Sequence, residues 1–123
     1  MMENIQALGA IGVSQQVAAN NIANMNTDGF RSSRVDLETG PEDRGARVQD
    51  IVENTRSGPL VPGGEYVRDG ESVRYEERMV EGSNTDLATE VVQMIENEHA
   101  FAANAVAIRT RAEMTGTFID MMV

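Results

Sequence analysis

Cysteine is absent from this chain. That excludes a disulfide framework and a thiol nucleophile, without fixing a compartment. Tryptophan is absent too and aromatics make up only 4%, so little large apolar material is available for a core outside helical segments. Lysine is missing: all ten basic residues are Arg, and none lies in the first 30 or the last 12 positions. With a net charge of −10, this argues against nucleic acid, whose phosphates need clustered positive charge. It argues equally against an anionic membrane surface. No apolar run reaches the roughly 18 residues of a transmembrane helix, so no direct membrane insertion is expected. The N-terminus also lacks the basic region and apolar run of a cleavable signal peptide.

Catalytic constellations are equally scarce. His99 is the only histidine, which leaves no His-rich metal site. No Gly-x-Ser-x-Gly elbow accompanies Ser14, Ser57, Ser72 or Ser83, and a long helix is a poor host for His99 as a base. The neighbouring acids Glu76-Glu77 and Glu96-x-Glu98 read as solvated faces. Gly63-Gly64 and Gly9-x-x-Gly12 lack the dinucleotide pattern and the phosphate-loop Lys. The expectation is no enzyme, no cofactor and no metal.

What the chain does have is helical seams at both ends. Leu87, Val91, Met94, Glu98, Phe101, Ala105, Ile108, Ala112, Thr115, Ile119 and Met122 alternate spacings of four and three, a heptad pattern that needs a partner. Ser83-Asn84-Thr85-Asp86 offers a capping pattern, so a helix is expected over 83–123. Such a helix is roughly 50 Å long and projects beyond a compact domain of this size. A first helix is expected over 3–24, with a thinner seam of Ile5, Leu8, Gly12, Gln15, Ala19 and Ile22. Gly9 and Gly12 each cost that helix about 1 kcal/mol against Ala. It is the natural cover for the C-terminal seam. Its end, Asn20-Asn21-Ile22-Ala23-Asn24-Met25-Asn26-Thr27-Asp28-Gly29-Phe30, is rich in residues that tolerate left-handed backbone and suit a helix stop. A second reading has these amides bonding across a helix contact that is completed only on assembly.

Between the helices, residues 31–45 look irregular. Val48–Thr55 has strand character without strict alternation. Tyr66-Val67-Arg68, Asp69-Gly70 and Ser72-Val73-Arg74-Tyr75 give a hairpin signature. The fold class is therefore α+β, mainly α: long terminal helices paired as a coiled coil around a small β-hairpin element. The expected organisation is 1–30 for the N-terminal helix and its Asn-rich end, 31–82 for the arm and β element, and 83–123 for the long helix.

Two stretches carry a resemblance beyond pattern. Ala18–Phe30 resembles the N-terminal signature of bacterial flagellar rod and hook proteins, an Ala-Asn-Asn-Ile-Ala-Asn core leading to Thr-x-Gly-Phe. Glu81–Leu87, then Met94-Ile95, Ala100-Phe101, Ala103-Asn104 and Thr110–Met114, resembles the C-terminal signature of that family. The short middle is most similar to the proximal-rod type, nearest rod protein C. Glu98-His99 stand where relatives commonly have Gln-Arg, and the middle lacks a recognisable proximal-rod motif.

The resemblance implies a structural subunit of the basal-body rod, crossing the periplasm. Its terminal helices would pack with those of other copies and other axial proteins into a tube around the export channel. It also implies passage through the flagellar type III export apparatus without a cleaved signal. The assembly interface would comprise Ile5, Leu8, Ala19, Asn20, Asn21, Ile22 and Asn24 with Leu87, Val91, Met94, Phe101, Ala105, Ile108, Ile119 and Met122. A hook-family paralogue and a soluble helical adaptor or chaperone of the export system are the alternatives. If Phe101 is a fully buried anchor of the seam, Phe101→Ala should cost about 3–5 kcal/mol in chemical unfolding. A negligible loss would place the ring on another face.

Overall fold

A computed structural model describes residues 2–122. The elements run α1 (Met2–Ala23), β1 (Ser33–Thr39), a 3-10 turn (Pro41–Asp43), β2 (Ala46–Glu53), β3 (Leu60–Asp69), β4 (Ser72–Glu81) and α2 (Leu87–Met122). This is the α+β, mainly α class, with a helix at each end. The β region is larger than the single hairpin expected: β1 pairs with β2 and β3 with β4, both antiparallel. The stretch 31–45, read as an irregular arm, supplies β1. Its partner β2 hid its alternation because the pairing jumps from Asp36–Asp50 to Leu37–Val48, leaving Gln49 without a partner. An extra residue of this kind breaks the period-two pattern that marks a strand. In the second hairpin Asp69 pairs with Ser72, so Gly70-Glu71 is the loop. Gly70 takes φ +64 there, a conformation open to glycine at little cost.

α2 begins later than its sequence pattern suggests. Asp86 is the cap: its carboxylate accepts the Ala88 N–H at 3.0 Å and the Thr89 N–H at 3.5 Å. Ser83 is buried one step earlier and forms a local turn, accepting the Thr85 N–H at 3.2 Å. At 36 residues the helix is about 54 Å long, against about 33 Å for α1.

α1 lies between α2 and the β1–β2 hairpin and packs against both. The helix pair is antiparallel, because Asn21 meets Glu90, Ser14 meets Asn97 and Glu3 faces Arg111. α1 starts opposite Arg111, and residues 112–122 of α2 run on past it. β3–β4 packs on itself and extends from the junction at its root. That junction is held by Asn84. Its side chain accepts the Ser32 N–H at 2.6 Å and donates to the Asn54 and Arg56 carbonyls, both at 2.8 Å. Arg31 donates to the Thr55 carbonyl at 2.7 Å and lies 3.4 Å from Glu81. Gly58 passes so close to Gly82 that a Cβ would sit 2.3 Å from its carbonyl oxygen, so the two loops meet backbone to backbone.

The apolar core is small: Ala10, Ile11 and Ala18 are its buried hydrophobic members among the described residues. Polar groups do much of the remaining work. Asn21, only 1% exposed, donates to the Ser33 carbonyl at 2.7 Å and to Glu90 at 3.0 Å, and accepts the Ser33 N–H at 3.0 Å. One amide thus ties α1 to both β1 and α2. Truncating it leaves three polar groups without their partner in a buried setting. Asn21→Ala should therefore cost about 2–4 kcal/mol. Asn24→Ala removes only exposed local bonds and should cost under about 0.5 kcal/mol. Urea unfolding of the two variants checks this; equal losses would contradict it.

Candidate assembly interface

The contact between α1 and α2 uses a different stripe from the apolar one. Glu90 and Asn97, buried and seven residues apart, face α1. Asn97 donates to the Ser14 hydroxyl and to Gln15, both at 3.1 Å, and accepts from Gln93 at 3.0 Å. On α1 the inward residues are Ala10, Ile11, Ser14, Ala18 and Asn21. The apolar seam sits one position along on both helices, at Val91, Glu98 and Ala105 beside Glu90, Asn97 and Asn104. One position is about 100° around a helix, enough to turn a stripe from the contact to its flank.

The residues predicted for assembly therefore divide. Asn21 points inward, fully committed within its own chain. Leu8, Ile22, Met94 and Ile108 are half-buried at the margin of the helix contact. Asn24 is half-buried too, and its amide bonds back to the Asn20 carbonyl at 2.9 Å. Ile5, Ala19, Asn20, Val91 and Ala105 are exposed. Leu87 is 47% exposed, Phe101 49%, Ile119 55% and Met122 73%. The structure brings Ala19 and Phe101 to one groove between the helices, while Leu87, Ile119 and Met122 lie along the open face of α2. Glu90, Asn97, Ser14 and Asn84 are not among the interface residues expected from the sequence, although Asn84 lies in the capping pattern and the C-terminal signature. The available signal was polar: Ser14 and Asn21, like Glu90, Asn97 and Asn104, recur at heptad spacing.

Electrostatics at this interface is modest. Arg111 and Glu3 approach to 3.9 Å at the surface. The Glu3 carboxyl is held below its ordinary range, chiefly by the hydrogen bond it accepts from its own backbone N–H. Among the described residues no group of His, Asp or Glu is arranged to hold a metal ion, and no helix is long and apolar enough to cross a membrane.

Phe101 is the sharpest disagreement with the seam as read from the sequence. The folded chain covers about half of the ring, so Phe101→Ala should cost roughly 1 kcal/mol in dilute solution rather than 3–5. A loss of 3 kcal/mol or more in denaturant unfolding would show the ring to be enclosed.

Residues 6–31 match the family described as flagella basal body rod protein, and residues 76–121 match the one described as flagellar basal body rod FlgEFG protein C-terminal. No curated protein sequence matches the chain. The two matched segments are the two that converge in the fold. The first contains all of the buried face of α1, with Asn21. The second contains the last six residues of β4, the Asn84 junction and all but the last residue of α2. Together they cover more than half of the sequence, one at each end, and the chain belongs to the flagellar basal-body rod family.

Proposed function

We propose that this chain is an axial subunit of the rod, assembling through its terminal helices into the tube that transmits torque and surrounds the export channel. The observation that carries this reading is the division of labour on α2. Its polar stripe closes the chain on itself, while an apolar stripe and an apolar end stay open. Residues 112–122 expose Met114, Phe118, Ile119, Met121 and Met122 close together, and clustered exposed apolar side chains of this kind mark interaction surfaces. A helix that is apolar on most sides is ordinarily enclosed by others.

Within the family, the short middle supports a proximal-rod type near rod protein C. A paralogue from the hook side of the family is the second reading. Partners on either reading are further copies, other axial proteins and the type III export apparatus, which would carry the chain without a cleaved signal.

Deleting residues 115–123 should leave the remaining helix pair folded, because α1 ends its contact near Arg111, and should abolish incorporation into the rod. Electron microscopy of basal bodies from cells carrying the truncated gene checks this. A complete rod containing the truncated chain would overturn the reading.

A further inference from the structure

α1 carries two glycines that the folded chain does not use. A Cβ at Gly9 or at Gly12 would meet nothing within 4 Å. Glycine inside a helix is unfavourable unless something needs the space, and no other part of this chain occupies it. Beside Gly12 lies a groove of about 600 Å³ between the helices, walled by Ile11, Gly12, Gln15 and Ala19 on α1 and by Phe101 and Ala102 on α2. Gln16, Asn97 and Glu98 also border it, but most of the surface it exposes is apolar, and Phe101 stands half-open at its edge.

The same chain carries an apolar helical end with nothing beside it. On residues 112–122, Met114, Thr117, Phe118 and Met121 fall at spacings of three and four, hence on one face. Gly116, on this same end, likewise meets nothing within 4 Å of an added Cβ. This end cannot reach the groove of its own chain. Residue 16 lies level with about residue 95 of α2 in the antiparallel register, some 22 residues short of Thr117, or roughly 33 Å along a straight helix.

We propose that the groove beside Gly12 receives the C-terminal end of α2 from a second copy of this chain. The Met114–Phe118–Met121 face enters against Gly12 and Phe101, and glycine at position 12 leaves room for that helix to approach. Groove and end are different surfaces, so the contact is head-to-tail and each copy offers one of each to the next. The proposal rests on the axial-subunit reading and gives it a specific contact.

The absence of cysteine makes the test clean. Gln16→Cys and Thr117→Cys are introduced together, and basal bodies are purified from cells with this as the sole copy, then oxidised. Because the two positions are too far apart within one chain, a disulfide between them joins copies. The expected result is a ladder of dimers, trimers and larger species containing only this chain. A control with Gln16→Cys and Ser72→Cys should give no ladder.

Dimers alone would mean a self-symmetric contact. A link to a different axial protein would mean another occupant. Either result, or monomer throughout, overturns the proposal while leaving the axial reading standing. Absence of the wild-type chain from basal bodies would remove both. Gly12→Leu provides an independent check. It should fold with at least wild-type thermal stability, since the space is open, yet enter the rod at least tenfold less. Normal incorporation of that variant would also overturn the proposal.

Discussion

The amide of Asn21 is the point on which the folded chain depends. It is buried at the end of α1 and reaches both the first strand and the second helix. A buried amide is tolerated only when its donors and acceptors are met, and here the Ser33 backbone and Glu90 meet them. Ser14 and Asn97 repeat the arrangement two turns away. Polar contacts of this kind add little net stability, but a slipped register would leave each of them unpaired. They therefore fix how α1 lies on α2 more than how tightly it is held.

The two family signatures gain a physical meaning from this. Asn21 belongs to the first, and Asn84 and Glu90 to the second. Asn84 gathers the Ser32 N–H and the Asn54 and Arg56 carbonyls at the place where the strand hairpins leave the helices. The ends of the chain are far apart in sequence, and these side chains are where they are joined. With three small or medium apolar side chains forming the buried core among the described residues, the isolated subunit has limited hydrophobic stabilisation. Much of its exposed apolar surface lies on α2, the surface that the proposed assembly would cover.

The sequence made both helices legible, because a three-four repeat of apolar residues survives over many turns. It also made the β3–β4 hairpin legible through Asp69-Gly70 between alternating strands. β1 is obscured by Ser32-Ser33 at its start and Gly40-Pro41 just past its end, and β2 by the unpaired Gln49. The interior face of the helix pair was misread for a deeper reason. Periodicity reasoning sends the apolar stripe inward, whereas here Asn21, Ser14, Glu90 and Asn97 took that place and Val91, Ala105 and Ile119 were left outside. The Asn cluster suits a helix stop, and its second reading has the amides acting together across a contact. In the fold Asn21 alone turns inward, while Asn20 and Asn24 bond to one another on the surface. Adjacent residues on a helix point in different directions, and a run of one residue type does not reveal which member faces the neighbour.

The central claim is that one face of α2 closes the subunit and another is kept for its neighbours. Hydrogen exchange along α2, compared between dilute subunit and purified basal bodies, tests it most directly. In the dilute subunit, amides of residues 90–108 should exchange slowly and those of 112–122 fast; in basal bodies the second group should become as protected as the first. Equal protection of both segments in the dilute subunit, or fast exchange of 112–122 that assembly leaves unchanged, would contradict it.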